Sequence, residues 1–357
     1  MRAGAASKAI GALGGHQANT ERELARLCLS RDVCRVTTPA PPDATHPAIR
    51  QRLAVSLLIG IASAVVAFFL HRRHGFWPDF VFPWAAARHL LAGRDPYVAL
   101  PGGLTEPFET PLLYPLPTVL ATVPFARLSL AAAGATMMGI SAALLAFVLT
   151  RDGWHRLWML ASAPFIMAIN LGQWSPLVAV AALEPTLAAL VTLKPNIGLA
   201  AFVYRPSWRM VFGSAIVLAL SLIALPRWPI EWLHAIRSLP GHPAPILVGH
   251  GLGLILLLSL LRWRSPEGRL LLVSACVPQL LLFSDQLILL LVARTKNELV
   301  ALTACSQIGF VAWFLMLKDG DLYVLKAAPY VLVFVFIPAL GVLLRQKRRQ
   351  SDATGGE

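Results

Sequence analysis

Long apolar runs recur along most of this chain, and each of them ends at polar, basic or proline residues. The first run covers residues 53–70, and the later ones cover 129–149, 157–171, 174–193, 209–225, 244–261, 268–283, 298–317 and 322–344. A helix that crosses the hydrocarbon core of a bilayer needs about 20 apolar residues. The runs therefore predict an all-α, polytopic membrane protein with about ten to twelve transmembrane helices.

The composition excludes several other classes of protein. Only 14% of the 357 residues are charged, against roughly 25% in soluble globular domains. This deficit excludes an ordinary soluble enzyme, a disordered protein and a small secreted domain held by disulfides. The formal net charge of +13 would indicate nucleic acid binding in a soluble protein. Here we expect membrane lipids as partners and no nucleic acid, because the basic residues flank the apolar runs.

The basic residues also predict an orientation. They cluster before the first run, in two loops and after the last run, at Arg50, Arg52, Arg205, Arg209, Arg262, Arg264, Arg269, Arg345, Lys347, Arg348 and Arg349. The positive-inside rule then places both termini in the cytoplasm and residues 71–110 in an outer loop. The predicted organisation is a cytoplasmic, disordered tail at 1–52, a multi-pass domain at 53–344 in a bacterial inner membrane, and a basic tail at 345–357.

Three shorter apolar stretches leave the topology open. The runs 195–204 and 286–296 are too short to span alone. The stretch 111–126 contains four prolines and either spans or enters and returns, since protein can bury irregular backbone. If it returns, Gln173 faces outside and Lys194 faces inside; if it spans, the reverse holds. Both alternatives place these two side chains on opposite sides.

The outer loop contains the residues best suited to chemistry. Asp79 precedes the stretch 80–92, whose apolar residues have helical spacing, and Gly93 is a plausible end for that helix. We expect this helix to lie along the membrane surface, where an aspartate can act as a general base on a lipid-borne substrate. Asp79 is equally suited to cap the helix. Asp95 before Pro96 is typical of a turn.

The same segments resemble a known family. The outer loop reads WPDF, AAARHLLAGRDPY and then LLYPLPTVL, and three later segments read NLGQ at 170–173, LKP at 193–195 and FSDQL at 283–287. In this order they resemble the multi-spanning glycosyltransferase family 87, over about residues 55–345. The second proline of the family's Tyr-Pro-Pro is displaced here to Pro117, and Trp174 follows Gln173 where the family has an apolar residue and then Asn.

The resemblance implies a GT-C-like fold and a function. Such enzymes take a sugar, here expected to be mannose, from a polyprenyl-phosphate donor and transfer it to a lipid or glycan acceptor at the outer face of the membrane. The catalytic base would be Asp79. The substrate-binding residues would be Arg88, Arg94, Asp95, Tyr97, Tyr114, Gln173, Lys194 and Asp285. No cofactor or metal is expected.

Several of these residues have a structural alternative. Lys194, Arg88 and Arg94 are candidates to bind the donor phosphate, but a lysine at the end of a span also extends to the interface without a functional role. Asp285 lies within an apolar run, where a charge is costly and marks function or a partner, and it is also a candidate helix cap. Glu184 is best explained by a pair with a basic residue.

Other functions and sites remain open on the sequence. A transporter or flippase of lipid-linked sugars would use Glu184, Lys194 and Asp285 as a charge path through the membrane, and a noncatalytic scaffold would use none of them. The segment 318–321 has a D-x-D pattern that is typical of a plain turn. No nucleotide-binding motif is present, and no His/Cys grouping has zinc spacing.

Overall fold

The computed structural model describes residues 48–73, 78–98, 111–238, 242–317 and 323–346, with only the backbone of 323–325. The chain divides into residues 1–46 and 47–357, and everything described belongs to the second unit. The described residues are helical and contain no strand, which confirms the all-α class. The predicted turn at 318–321 lies outside the described residues. So do both predicted tails, except for the residues nearest the domain.

The described residues form thirteen α-helices with shorter 3₁₀ segments between them. The α-helices are α1 Ile49–His71, α2 Val81–Leu91, α3 Leu116–Thr122, α4 Leu130–Leu149, α5 Ala163–Leu171, α6 Ser175–Leu183, α7 Pro195–Tyr204, α8 Trp208–Ala224, α9 Trp228–Ser238, α10 Pro266–Cys276, α11 Lys296–Leu315, α12 Tyr323–Val331 and α13 Ile337–Arg345. The 3₁₀ segments are Val123–Phe125, Thr150–Asp152, Trp154–Ala161, Pro185–Leu193, Pro245–Leu247, Leu252–Arg262 and Ser284–Val292, and a π-helical turn at Leu332–Phe336 joins α12 to α13.

Four helices in the described residues are long and apolar enough to cross a membrane: Ile49–His71, Leu130–Asp152, Lys296–Leu315 and Lys326–Arg345. A fifth arises if α8 and α9, bent by 94° at the break between them, count as one span. The prediction of a membrane protein is supported, but the count is lower than ten to twelve. The count is lower because some predicted runs fold as short 3₁₀ segments. Pro185–Leu193 and Ser284–Val292 have nine residues each, and nine residues of 3₁₀ helix rise about 18 Å, less than the hydrocarbon core of about 30 Å.

The short segments form the interior of the helical bundle. Almost every residue of α6 is buried, and so is every residue of the 3₁₀ segment Ser284–Val292. Most of the first helix, α1, is instead exposed along its length. A helix that is apolar on all sides belongs inside a larger structure, so these two short segments need no contact with lipid of their own.

The predicted run 174–193 is not one helix, which corrects its expected topology. It folds as α6, a break, and the 3₁₀ segment Pro185–Leu193, which packs back against α6. The break lies at Glu184, whose backbone is extended, because the residue before a proline avoids the helical region and proline lacks the N–H that continues a helix. Residues 173 and 194 consequently meet at the same end of the bundle.

Hydrogen bonds define one end of the bundle, which we call the basic end. Five arginines at helix termini bind backbone carbonyls or a carboxylate there: Arg52, Arg156, Arg262, Arg269 and Arg294. The chain enters the bundle at this end in α1 and leaves it at this end in α13, because Arg262 binds the carbonyl oxygen of Leu344. We call the opposite end the loop end.

The proline-rich stretch 111–126 stays at the loop end. The Thr118 hydroxyl donates to the carbonyl oxygen of Leu193, and just beyond the stretch the Trp84 indole donates to the carbonyl oxygen of Leu128 at 3.2 Å. Only seven residues of the stretch 111–126 form α3. Of the two alternatives for this stretch, the structure has the one that does not span.

Helices α1 and α4 pack through small residues. A Cβ added at Gly60 would lie 2.8 Å from both the Ala143 Cβ and the Gly139 carbonyl oxygen, and one added at Gly139 would lie 2.9 Å from the Ala64 Cβ. Glycine and alanine four residues apart on each helix let the two backbones approach closely. Such an arrangement is common where helices associate inside a membrane.

We predict that Gly60→Ala lowers the stability of the protein by about 1–3 kcal/mol, because the added methyl group overpacks a contact made by backbone. The measurement is thermal unfolding in detergent micelles. Gly341→Ala in α13 is the matched control, since nothing lies within 4 Å of a Cβ there. Its melting temperature should stay the same or rise slightly. Equal effects of the two substitutions would contradict close packing at Gly60.

Candidate functional site

Four polar side chains from distant parts of the chain form a row at the loop end. The Gln173 amide nitrogen donates to Oδ2 of Asp79. The Lys194 Nζ donates to Oε1 of Gln173 at 2.7 Å and to Oδ1 of Asp285 at 2.5 Å. The row therefore reads carboxylate, amide, ammonium, carboxylate, and all four residues are among those predicted from the sequence.

The position of Asp79 depends on its neighbour Phe80. The Phe80 ring is fully buried and contacts the Trp174 ring, with 6.1 Å between ring centroids. The Phe80 amide also donates to the carbonyl oxygen of Leu171 at 3.3 Å. These contacts fasten the start of α2 to the end of α5. Asp79 does not cap α2 with its side chain, so its carboxylate is available to Gln173.

The turn that carries Gln173 requires glycine before it. Gly172 ends α5 in the left-handed region at φ 66°, and the Gln173 amide donates back to the carbonyl oxygen of Ala168 at 2.8 Å. A Cβ at Gly172 would lie 2.7 Å from the Phe80 Cβ. Glycine adopts this conformation without steric cost and leaves room for the adjacent ring.

The Lys194–Asp285 ion pair is buried. The side chain of Lys194 is 12% exposed and that of Asp285 is 0% exposed. Lys194 lies at the junction between the 3₁₀ segment Pro185–Leu193 and α7, and its ammonium group is held inside the protein by Gln173 and Asp285. Asp285 begins the buried segment Ser284–Val292 after Phe283, a non-glycine residue at φ 62°, and it does not cap that segment.

Burial raises the pKa of the Asp79 carboxyl to about 6. The positive charge of Lys194 opposes the rise, the negative charge of Asp285 adds to it, and the hydrogen bond from Gln173 opposes it. Tyr114 borders the same carboxylates, and burial holds the pKa of its phenol well above the usual value. At neutral pH Asp79 is thus mostly ionised and Tyr114 is neutral. A carboxylate of this pKa is suited to accept a proton near pH 7.

The remaining residues of the predicted site lie around this row. Tyr97 donates its hydroxyl to the carbonyl oxygen of Tyr114 at 2.8 Å. Asp95 accepts from the Tyr97 amide at 2.9 Å, which confirms the predicted turn. Arg88 stacks on the Trp84 ring at 4.8 Å, and both Arg88 and Arg94 are exposed. No described contact joins these two arginines to the row.

Gly93 ends α2 as predicted. It has φ 71°, its amide donates to the carbonyl oxygen of Leu90, and the Arg94 amide donates to that of His89, both at 3.0 Å. This pair of bonds is a Schellman motif, which satisfies the last carbonyls of a helix.

Glu184 is not part of the row. Its carboxylate pairs with Arg151 and accepts from the Thr186 amide and hydroxyl. The predicted pair with a basic residue is confirmed. In the described contacts, Glu184 shares no partner with Lys194 or Asp285.

One histidine near the row was not expected to take part in the site. His242 interacts electrostatically with Asp285 and Lys194, although partial burial, the larger effect, lowers its pKa. The segment after residue 241 therefore returns to the loop end, close to the row. The sequence contains no motif around His242 that would have indicated this position.

The expectation that Gln173 and Lys194 face opposite sides is wrong. They share a hydrogen bond, because the break at Glu184 turns the segment between them back on itself. A continuous helix over 174–193 would have separated them by about 30 Å.

We predict that Lys194→Met destabilises the protein by about 3–5 kcal/mol, because it leaves the Asp285 carboxylate buried without a compensating charge. The double variant with Asp285→Leu should recover part of the loss. Thermal unfolding in detergent measures both variants.

The control for this prediction is Arg151→Gln, which breaks the ion pair with Glu184. The Arg151 side chain is 45% exposed, and an exposed pair contributes about 1 kcal/mol or less. A loss at Lys194 no larger than the loss at Arg151 would contradict the assignment of a buried, mutually dependent pair.

No known protein family, curated protein or solved structure matches this chain.

Proposed function

We propose that the protein is a GT-C-like membrane glycosyltransferase, with a polyprenyl-phosphate sugar, expected to carry mannose, as donor and a lipid or glycan as acceptor. Asp79 is the base. The observation that carries this proposal is a partly buried carboxylate of raised pKa, joined through one amide to a buried lysine, at the loop end of an apolar helical bundle. The resemblance of the first loop and of three later segments to glycosyltransferase family 87 supports the same function.

The reaction is a single displacement at the anomeric carbon. Asp79 accepts the proton of an acceptor hydroxyl, and the oxygen of that hydroxyl attacks the anomeric carbon. At the same time the bond from this carbon to the phosphate oxygen breaks. The electron pair of that bond leaves on the polyprenyl phosphate. A base within about 3 Å of the hydroxyl and a cation near the departing phosphate are the two requirements. Asp79 and Lys194 are suited to them.

The ion pair with Asp285 prepares Lys194 for this role. Asp285 pairs with the lysine in a buried environment and fixes its position before any substrate binds. A fixed cation needs no reorganisation as negative charge develops on the leaving group. Arg88 and Arg94 are exposed cations of the same loop region, suited to the approach of an anionic lipid headgroup.

The basic end faces the cytoplasm in this proposal, and the loop end faces outside. Because α1 begins and α13 ends at the basic end, the bundle has an even number of passages between its ends, and residues 49 and 345 lie on the cytoplasmic side. This orientation follows the positive-inside rule. It gives the row access to the outer surface of a bacterial inner membrane.

A transporter is the less favoured function. Its charge path would need Glu184 to continue the row of Lys194 and Asp285. Glu184 has Arg151 and Thr186 as partners instead, so the described contacts do not connect the path. A row at one end of the bundle is better suited to chemistry on a lipid headgroup than to passage through the bundle.

We predict that Asp79→Asn lowers sugar transfer about 10²–10⁴-fold, the usual contribution of general base catalysis. The assay uses radiolabelled polyprenyl-phosphate-mannose and membrane lipid acceptors. Wild-type activity should fall as the pH drops through about 6, the pKa of Asp79, because the protonated carboxyl cannot accept a proton. Asp152→Asn at the basic end is the matched control and should retain activity.

Folding of the Asp79→Asn variant separates catalysis from structure. A carboxyl whose pKa is raised in the folded state destabilises the fold once the pH exceeds its unfolded value, and a pKa rise from 3.8 to about 6 corresponds to about 3 kcal/mol. Removing the charge should leave the melting temperature at pH 7 equal or higher. Equal transfer by wild type and Asp79→Asn would overturn the proposed base.

We predict opposite labelling of two single cysteines in a cysteine-free background. Arg94→Cys at the loop end should react with a membrane-impermeant maleimide added to intact spheroplasts. Arg264→Cys, close to Arg262 at the basic end, should react only after the membrane is opened. Labelling of Arg94→Cys from the cytoplasmic side alone would contradict the orientation.

A further inference from the structure

Gln173 lies at the centre of the row, and its side chain is fully buried. The resemblance assigns it to substrate binding. A residue with no exposed surface has no face to offer to a substrate. Its amide nitrogen donates to Asp79, and its amide oxygen accepts from Lys194. The protein itself occupies both ends of the amide.

Lys194 fixes the orientation of this amide. An ammonium group has donors and no acceptor, so only the oxygen of Gln173 can face it. The nitrogen of Gln173 must then face Asp79 and donate. The Gln173 N–H donates to Oδ2 of Asp79, so the amide occupies one of the lone pairs of Oδ2. No hydrogen bond from the described residues reaches the other oxygen, Oδ1.

We infer that Gln173 is a positioning residue that sets the two oxygens of Asp79 apart, holding Oδ2 and leaving Oδ1 to accept the proton of the acceptor hydroxyl. This inference rests on the proposed function, and it deepens it by naming the reactive oxygen. The bond that forms is Oδ1–H and the bond that breaks is the O–H of the acceptor. Gln173 exchanges no proton.

The backbone supports this role. Gln173 follows Gly172, and the Phe80 that follows Asp79 packs directly against Gly172 and bonds to the backbone of Leu171. The base and its partner are therefore fastened to each other by the main chain as well as by their side chains. A base held at a fixed angle is the condition for efficient proton transfer.

The test compares Gln173→Glu, Gln173→Asn and Gln307→Glu with the wild type. Gln173→Glu has the same shape but places a carboxylate against Asp79, and Gln173→Asn is one methylene too short to reach both partners. Gln307→Glu is the matched control: this glutamine lies on α11, and its nitrogen donates to the Ala161 carbonyl oxygen at 2.6 Å. The readouts are kcat and KM for polyprenyl-phosphate-mannose, each measured across pH.

Gln173→Glu should lower kcat about 100-fold, with KM for the donor changed by less than about threefold because Gln173 does not touch the substrate. The pH at which activity falls should rise by about one unit or more, since a like charge beside a carboxylate raises its pKa. Gln173→Asn should lower kcat similarly. If Gln173→Glu fails to fold, the Gln173→Asn variant alone decides the test. An unchanged kcat or an effect confined to KM would overturn the inference, as would an unshifted pH limb in Gln173→Glu.

Isotope-edited infrared spectroscopy of the Asp79 carboxyl tests the inference without any substrate. The Asp79→Asn variant identifies the band. Its titration should move to higher pH in Gln173→Glu and stay unchanged in Gln307→Glu. If the wild type transfers no sugar and this shift is still present, the proposed function fails while the positioning of Asp79 by Gln173 holds. If the wild type transfers sugar and the band does not shift, the inference fails and the function stands.

Discussion

The buried ion pair between Lys194 and Asp285 is the interaction on which the site depends. Removing two charges from water is costly, and their attraction offsets the cost only when the geometry is good and the other hydrogen-bonding groups are satisfied. Lys194 donates to Gln173 as well as to Asp285, whereas Oδ2 of Asp285 is buried without a hydrogen-bond partner among the described residues. The second bond orients the amide, and the amide in turn orients Asp79. Without the ion pair, the order of donors and acceptors along the row would not be defined.

Stability and function have opposite requirements at Asp79. Burial raises the pKa of this carboxyl to about 6, so its ionised form at pH 7 destabilises the folded protein by about 3 kcal/mol relative to a carboxyl in water. Lys194 and Gln173 keep the cost from being larger. The same environment makes the carboxylate a better base near neutral pH than an aspartate in water. Local destabilisation at a group of this kind is common at catalytic sites.

Much of the outer part of the fold can be predicted from apolar periodicity alone. The runs 53–70, 129–149, 209–225 and 298–317 correspond closely to α1, α4, α8 and α11, because each is uninterrupted by proline. The interior could not be predicted in this way, since Glu184 and Pro185 reverse the chain inside a run that reads as one span. The resemblance indicated all four residues of the row, and the polar residues of the apolar runs were visible in the sequence. Their contacts were not, because Asp79, Gln173, Lys194 and Asp285 are brought together only by that reversal and by the packing of Ser284–Val292.

Each residue of the row lies where a helix begins or ends. Asp79 precedes α2, Gln173 separates α5 from α6, Lys194 precedes α7, and Asp285 follows the strained backbone of Phe283. Backbone groups and polar side chains at such breaks cannot face lipid, so in an apolar bundle they are tolerated only where protein encloses them or water reaches them. Gathering the breaks at one end satisfies this requirement at a single place. The short, fully buried segments therefore have a structural role that full-length transmembrane helices would not have. Their ends bring four polar groups of an apolar chain to one site.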